Sequence, residues 1–492
     1  MFKKQVFYII GLILIFLSFS MFLSSLWSFY YDYYLNQEDD LISFLLSILI
    51  TFFSGILLII LSRTRKKIEI TNRDGFAIVT IGWFFIAFYS SLPFYIYGHG
   101  FTMTNAFFES MSGLTTTGAT ILGHSSTIDI ESLPHGILFW RSFTQFIGGM
   151  GIIVLGIAIL PLLGMGGVQL FRAEVAGPIA DKMTPRVKQT AKLLWSIYVG
   201  LVVILSFILW IQGMDVHAAL CHSFTTIATA GFSTKNASIG AFSPLIQWTI
   251  ICFMIIAGTS FTLHYIFLSK KTSEYKKDTE FKFYSAMIIV FSIIFFINII
   301  NAGLYNFSFD TFRHSVFASV TIITTTGFST ENFGEWPALS KTLIFFLFFV
   351  GGCAGSTTGA MKIIRTIVVC KYLMSEVKKM LHPKGVFPIR ISGNVIPDDI
   401  VKTTLGFYLF YIFIFVLTAM LFAMLGLDLE TALSASAAAI GNIGPGLGSI
   451  GPADNWGHFP DLAKWIASFC MLLGRLEIFT VMVLFSRTFW TK

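Results

Sequence analysis

Four short segments of the chain share one pattern around a glycine, and this pattern is suited to binding a cation. When the segments are aligned on Gly118, Gly231, Gly327 and Gly444, each has a serine eight residues earlier and a branched apolar residue four residues earlier. The serines are Ser110, Ser223, Ser319 and Ser436, and the apolar residues are Leu114, Ile227, Ile323 and Ile440. Four unrelated glycine loops would not share both offsets, so we interpret the segments as an internal fourfold repeat.

The chemistry that such turns offer is coordination by backbone carbonyl oxygens. Glycine permits the positive φ angle that turns successive carbonyls the same way, and four such strands around an axis give rings that replace the hydration shell of K⁺. The helices before the turns point their partly negative C-terminal ends at the ion. No Asp or Glu stands in the turns, whereas divalent ions prefer carboxylates. The predicted K⁺ ligands are Thr116, Thr117, Gly118, Thr229, Ala230, Gly231, Thr325, Thr326, Gly327, Asn442, Ile443 and Gly444.

A second candidate site is a glycine-rich stretch inside an apolar segment that follows the third turn. Each glycine in a helix interior costs about 1 kcal/mol relative to Ala, so we predict a break in the span, an intramembrane loop that serves as a gate. The alternative is a tightly packed helix interface, which also favours small residues. The predicted gate residues in this stretch are Gly351, Gly352, Gly355, Ser356 and Gly359.

One arginine, Arg475, lies within the last apolar segment. An arginine inside a membrane is costly and usually functional. We expect Arg475 to face the pore, repel cations and donate to carbonyls of the glycine-rich loop. The alternative is a structural ion pair with an acid such as Glu477, although residues two apart on a helix face different ways. Lys362, at the end of the loop, is interpreted as an interfacial anchor.

The composition indicates that the elements around these candidate sites are membrane-spanning helices. Of 492 residues, 55% are hydrophobic and only 12% are charged, against about 25% charged in soluble domains. This excludes a cytosolic enzyme, a disordered chain and a secreted disulfide scaffold, and the five cysteines form no CxxC pair. Ten stretches reach the length of about 20 residues that spans a membrane. They are approximately 5–30, 41–62, 75–98, 136–164, 189–213, 243–268, 281–304, 340–370, 400–426 and 460–488.

The distribution of positive charge predicts the orientation. Of 33 Lys and Arg residues, 27 fall in segments on one side of this arrangement, and positive residues remain in the cytoplasm. Both termini are therefore predicted to be cytoplasmic. The net charge of +7 is explained by orientation, and we do not expect a nucleic-acid partner.

The predicted fold class is an all-α polytopic membrane protein, with ten full spans and four re-entrant pore helices around one pore. Each repeat consists of a span, a pore helix, a filter turn and a second span. The predicted division is two N-terminal spans outside the repeat in 1–67, followed by repeats at 68–188, 189–280, 281–399 and 400–492.

Several motifs resemble those of the TrkH/KtrB/HKT superfamily of potassium transporters. They are Phe107-Phe108-Glu109-Ser110, Gly148-Gly149-Met150-Gly151, Gly351-Gly352-Cys353-Ala354-Gly355-Ser356 and Gly474-Arg475-Leu476-Glu477. The two extra N-terminal spans are similar to the TrkH branch rather than the KtrB branch. The turns differ from the TVGYG pattern of potassium channels, since one glycine recurs per repeat and Asn442 replaces a threonine in the fourth.

The resemblance implies a K⁺-selective pore in the bacterial cytoplasmic (inner) membrane, assembled as a homodimer among membrane lipids. It implies that the intramembrane loop is a gate. It also implies control by a cytosolic, TrkA-like ring that binds NAD, ATP or ADP. No organic cofactor is expected on this chain, so nucleotide control requires another chain docking on 165–192, 269–282 and 371–400.

Two other functions remain as alternatives. An ion-coupled potassium symporter, driven by Na⁺ or H⁺, would work by alternating access with inverted repeats, whereas four repeats in one orientation favour a fixed pore. A membrane enzyme would need a cluster of acids or histidines, and the sequence has no HExxH and no paired carboxylates in its spans. The GxGxxG match at 446–451 follows no predicted strand, so it does not indicate a dinucleotide site.

Overall fold

The computed structural model describes residues 4–34, 40–63, 72–123, 126–154, 187–269, 275 and 277–490. It confirms the all-α fold class, since the two strands in the described residues form a single short hairpin. Helix is the expected outcome for so apolar a chain, because a backbone in hydrocarbon must satisfy its own hydrogen bonds.

The described residues form nineteen α-helices. They are α1 Lys4–Phe29, α2 Leu41–Ser62, α3 Asn72–Ser90, α4 Leu92–Tyr97, α5 Met103–Leu114, α6 His135–Val154, α7 Val187–Ile211, α8 Val216–Ile227, α9 Pro244–Ala257, α10 Phe261–Leu268, α11 Thr279–Asn301, α12 Phe309–Ile323, α13 Ala338–Leu347, α14 Ile363–Leu381, α15 Asp398–Met424, α16 Leu429–Gly441, α17 Asp461–Arg475, α18 Phe479–Met482 and α19 Arg487–Trp490. The antiparallel hairpin is β1 Arg390–Ile391 with β2 Asn394–Val395.

The span count is consistent with the prediction. Within the described residues, six helical stretches are long and apolar enough to cross a membrane, and two more count if the bent pairs α9–α10 and α17–α18 are each one span. Of the two remaining predicted spans, 136–164 runs beyond the described residues after α6. The other, 340–370, is divided between α13 and α14 by a loop.

The first two helices pack tightly against each other. They cross closely at Gly11 and Gly55, where a Cβ added to Gly11 would lie 2.8 Å from the carbonyl oxygen of Gly55. Small residues at such crossings let helix backbones approach in the membrane. Helix α1 packs against α3 and α6, while the apolar side chains of α2 are largely exposed, as expected for a lipid-facing helix.

Four short helices, α5, α8, α12 and α16, occupy the positions of the predicted re-entrant segments. Each begins with a capping side chain that accepts a hydrogen bond from the backbone N–H three residues later, which satisfies one of the free donors at a helix start. The capping residues are Thr102, Asp215, Ser308 and Asp428, with distances of 3.2, 2.8, 3.1 and 3.0 Å.

The repeated serines attach two of these helices to the span before them. Ser110 Oγ donates to the carbonyl oxygen of Ala87 at 2.8 Å, and Ser436 Oγ donates to that of Phe415 at 2.7 Å. In the second repeat, Ser223 bonds instead within its own helix, to Ala219 O at 2.6 Å. All four serines are buried, so the serine offset marks a buried position in each short helix, and the predicted filter turn follows the end of that helix.

Candidate ion pathway

Each of the four short helices ends in the same hydrogen-bonded turn. One residue adopts a left-handed backbone, and the N–H of the next residue donates to the carbonyl five residues earlier, which is the Schellman arrangement of a helix C-terminus. The left-handed residues are Thr116, Thr229, Thr325 and Asn442, with φ of 52°, 52°, 53° and 52°. The hydrogen bonds are Thr117 to Ser112, Ala230 to Thr225, Thr326 to Thr321 and Ile443 to Ala438, at 2.9, 2.9, 2.8 and 3.0 Å.

The glycines used for the alignment follow two residues later, and they bring the four strands into one ring. Their φ angles are 78°, 80°, 83° and 94°. A side chain at any of them would overlap the next strand: Gly118 abuts the Ala230 carbonyl, Gly231 that of Thr326, Gly327 that of Ile443 and Gly444 that of Thr117. The fourth strand thus closes on the first. All twelve predicted K⁺ ligands belong to this ring.

The ring opens on one side into a cavity of about 90 Å³. All four glycines line it, together with residues from the loops that follow the filter strands, including Lys235, Asp454 and Trp456. The Trp456 indole N–H donates to the Gly444 carbonyl at 3.2 Å. This cavity is one mouth of the candidate pathway, the one predicted to face outward.

A buried network that sequence reasoning missed supports the second filter strand. Gln145 on α6 donates to the Ala230 carbonyl at 2.8 Å and accepts from the Phe232 N–H at 3.2 Å. Arg141, one turn earlier, pairs with Glu109 at 2.6 Å and donates to Ser233 O at 2.8 Å. The sequence could have indicated this ion pair, because Arg141 and Glu109 are opposite charges that stand in two apolar segments of one predicted repeat.

The first and fourth repeats are joined by the residue that departs from threonine. The Asn442 side-chain amide donates to Thr117 Oγ1 and to the Met471 carbonyl, each at 2.9 Å. Asn442 therefore holds the closing contact of the ring, and asparagine also tolerates a left-handed backbone better than threonine does.

The predicted break in the third repeat is present as a loop between α13 and α14. Its tip lies against three of the four short-helix ends, directly below the ring. Gly359 N–H donates to Thr325 Oγ1 at 2.7 Å, Thr357 Oγ1 donates to Ile227 O at 3.0 Å, and Ala360 N–H donates to Gly441 O at 2.8 Å. The glycine-rich stretch is a loop and not a continuous helix at a packed interface.

The other predicted gate residues lie in the same loop. Gly351 N–H donates to Met361 O at 2.8 Å, and Gly352 N–H donates to Thr358 Oγ1 at 3.2 Å. Gly355 O accepts from Phe261 N–H at 3.0 Å, and Ser356 Oγ lies 2.8 Å from Thr358 Oγ1. These contacts fold the loop on itself and against α10.

Arg475 is buried at the end of α17, and its guanidinium group connects two repeats. It donates to Thr357 O in the loop at 2.8 Å and to Gly148 O on α6 at 3.1 Å. Glu477 pairs instead with Arg365 at 2.9 Å, and Arg365 also lies over the Phe407 ring, 4.1 Å from its centroid. The structure therefore places Arg475 with the loop and Glu477 with another cation.

Lys362, interpreted from the sequence as an interfacial anchor, contacts the loop itself. Its ammonium group lies 2.8 Å from Thr358 Oγ1 and also contacts the Thr358 carbonyl. The loop turns back at Gly359 and Ala360, which brings the lysine inward to its own backbone. Spacing alone could not reveal this, because it depends on the path of the loop.

In the described residues, the second helix is sharply bent in two of the predicted repeats. The α9–α10 and α17–α18 pairs bend by 96° and 109°. Gly148 and Gly474 each lie so close to the end of a short helix that a Cβ would overlap the carbonyl of Leu114 or Ile440 respectively.

In the parts of the chain that the structure describes, no group of three His, Cys, Asp or Glu side chains could hold a metal ion.

Comparison with known proteins identifies the family. The TrkH family, described as cation transport protein, matches residues 43–492. The Trk system potassium uptake protein TrkH of Vibrio parahaemolyticus is 42% identical over 432 residues, covering 87% of this chain and 88% of that protein. Trk system potassium uptake protein TrkG of Escherichia coli K12 is 35% identical, with the same two coverages.

A solved structure agrees with the whole architecture. The crystal structure of the potassium transporter TrkH from Vibrio parahaemolyticus superposes with a TM-score of 0.89 at 37% identity, and the match covers 99% of each chain. This confirms the resemblance inferred from the motifs, and it agrees with the expectation of a transporter and not an enzyme. The chain therefore belongs to the TrkH family of multi-pass cation transport proteins.

Proposed function

We propose that this protein takes up K⁺ through the ring formed by its four filter strands. The observation that carries the proposal is the cyclic contact of Gly118, Gly231, Gly327 and Gly444, each against the carbonyl of the next strand. Such a ring presents carbonyl oxygens from four sides of one axis, as dehydration of K⁺ requires. The relatives named as potassium uptake proteins support K⁺ as the ion.

The intramembrane loop and Arg475 together form the gate in this proposal. The loop lies directly under the filter ring, and the arginine adds a positive charge at the same place. A cation leaving the ring would meet both a backbone obstruction and an electrostatic barrier. Opening then requires the loop to leave its contacts with the short helices.

The organisation into two N-terminal spans, 1–67, and four repeats, 68–188, 189–280, 281–399 and 400–492, belongs to the same proposal. All four repeats have one orientation, which supports a fixed pore over alternating access between inverted halves. We further infer a homodimer in the cytoplasmic membrane with both termini cytosolic. A cytosolic TrkA-like nucleotide-binding ring would dock on 165–192, 269–282 and 371–400, of which 165–186, 270–274 and 276 lie outside the described residues.

The experiment is single-channel recording of the purified protein in a planar bilayer with opposed K⁺ and Na⁺ gradients. The expected result is unitary current steps that reverse near the K⁺ equilibrium potential. Vesicles without protein give the baseline. Slow, saturating flux without unitary steps, dependent on Na⁺ or H⁺, would favour the coupled symporter, and equal permeation of K⁺ and Na⁺ would remove the selectivity assigned to the ring.

A further inference from the structure

A buried carboxylate outside the predicted gate binds the loop on both sides of its tip. Glu280 lies in the first turn of α11 and is only 6% exposed. Its Oε1 atom accepts hydrogen bonds from the Ala354 N–H at 2.8 Å and from the Ile364 N–H at 3.1 Å. Ala354 precedes the tip at Thr357–Ala360, and Ile364 follows it.

A single oxygen that accepts from both arms of a loop fixes their separation. Hydrogen bonds to an ionised acceptor are stronger than neutral ones, and burying a carboxylate is costly unless such bonds are made. Without Glu280 the two arms would lose a common partner, while the contacts of the tip with the short helices, Lys362 and Arg475 would remain.

Thr279, the residue before Glu280, is hydrogen-bonded to the β1–β2 hairpin, which is predicted to be cytosolic. Thr279 N–H donates to Ser392 Oγ at 3.2 Å, and Ser392 N–H donates to Thr279 Oγ1 at 3.2 Å. Ser392 is in the turn between β1 and β2. The segment leading into the hairpin is attached to α14, since Ser375 Oγ donates to Phe387 O at 3.0 Å.

We propose that Glu280 is a positioning residue that holds the intramembrane loop closed, and that the hairpin at 390–395 acts on the loop through the Thr279–Ser392 contact. The proposal rests on the proposed function of the loop as a gate. A cytosolic partner that displaces the hairpin would move the start of α11, and with it the carboxylate between the two loop arms.

The first test measures ⁸⁶Rb⁺ uptake into proteoliposomes that contain the purified full-length protein without a cytosolic partner. Glu280→Ala removes both hydrogen bonds and should raise uptake by about tenfold, the effect expected for charge-assisted bonds of typical strength. Glu280→Gln keeps an acceptor oxygen, so its ⁸⁶Rb⁺ uptake should lie between that of wild type and that of Glu280→Ala. Glu376→Ala, which removes an exposed carboxylate on α14, is the matched control and should equal wild type.

The second test reads the loop directly and does not depend on conduction. Cys353 lies in the loop and is fully buried, and Cys470 on α17 is buried at 3% exposure. With the exposed Cys252 and Cys370 replaced by Ser, labelling by a small thiol reagent is followed by mass spectrometry. Glu280→Ala and Ser392→Ala should both accelerate the labelling of Cys353 while that of Cys470 stays slow, which shows that the protein remains folded.

The outcomes separate the two proposals. If Cys353 stays protected in Glu280→Ala and in Glu280→Gln, Glu280 does not position the loop, whatever the protein conducts. If Glu280→Ala exposes Cys353 but Ser392→Ala does not, the link to the hairpin is wrong. If Cys353 is released and wild-type protein shows no K⁺-selective flux, the positioning role stands and the proposed function fails.

Discussion

Threonine is an unusual residue for a left-handed backbone, yet Thr116, Thr229 and Thr325 all adopt one in the filter strands. A β-branched residue at positive φ is strained, and such strain persists where surrounding contacts fix it, often at functional sites. Here the fixing contacts are the Schellman hydrogen bonds above the residue and, for Thr229 and Thr325, the loop below it. The left-handed residues of the second and third candidate filter strands are therefore also the points at which the loop makes contact.

The filter glycine of the third repeat offers a test of the ring. Gly327→Ser should reduce the preference for K⁺ over Na⁺, because the added Cβ would overlap the Ile443 carbonyl and lie 2.9 Å from Pro445 Cδ. Reversal potentials in K⁺/Na⁺ gradients measure this preference. Gly303→Ser is the matched control, since Gly303 also has a positive φ, of 71°, but has open space around it. Unchanged selectivity in Gly327→Ser would remove this glycine from the filter.

A second prediction concerns the closing contact of the ring. Asn442→Thr gives the fourth repeat the residue of the other three and loses the donations to Thr117 and Met471. We expect the free energy of unfolding to fall by about 1–3 kcal/mol, while K⁺ selectivity is largely retained. Thermal unfolding in detergent measures the loss of stability. Thr116→Ala is the control, because the structure gives the Thr116 hydroxyl no hydrogen-bond partner; equal losses in both variants would contradict the bracing role.

At the residue level, sequence reasoning identified the candidate filter positions by their repetition, whereas it assigned no role to Glu280. Gly118 and its three counterparts share offsets with serines and apolar residues, so comparison within the chain identified them. Glu280 has no counterpart in the glycine pattern and lies beside a run of lysines, where a surface carboxylate is the ordinary interpretation. Its burial results from the loop folding onto it.

Among the elements, the loop and α17 form one unit through Arg475. Arg475→Ala should raise K⁺ flux in the absence of a cytosolic partner, because it removes both the contact with Thr357 and a positive charge from the path. A unit charge at about 4 Å contributes about 4 kcal/mol at an effective dielectric of 20, and about a third of that changes the rate about tenfold. Uptake of ⁸⁶Rb⁺ into proteoliposomes measures the flux.

Two further variants define what Arg475 does. Arg475→Lys keeps the charge and should remain closer to wild type. Lys379→Ala, which removes an exposed cation on α14, should have no effect. Uptake at or below the wild-type level in a folded Arg475→Ala protein would make the arginine a structural residue. K⁺ selectivity should survive in every variant, since the filter strands are unchanged.

The elements could be predicted from hydropathy as far as their existence, but not where they bend. Apolar length located α1, α2, α7, α11 and α15 closely, because lipid imposes the same requirement on all of them. The bends after Ala257 and Arg475 lie beside residues distant in sequence, since Gly258 abuts Tyr284 and Thr324 and Gly474 abuts the Ile440 carbonyl. Only in the third repeat was the glycine content high enough to indicate the break from sequence.

For the whole molecule, the prediction concerns its orientation. Phe307 and Val386 are 82% and 89% exposed and lie on opposite predicted sides. In a background without the exposed cysteines, Phe307→Cys should react with a membrane-impermeant maleimide in intact bacteria, whereas Val386→Cys should react only after permeabilisation. The reverse pattern would invert the topology and place the proposed regulatory face outside the cell.

The closed ring also has a consequence for how the protein is made. The hydrogen bond from Asn442 to Thr117 joins residues 325 positions apart. The first filter strand therefore lacks this partner until nearly the whole chain has been synthesised. Contacts at such separation form late, and synthesis proceeds from the N-terminus. A ribosome that stalls before the fourth repeat would leave three strands and an open side, and no complete pathway for ions. Biogenesis thus cannot complete the ring before the segment that contains Asn442 has been inserted.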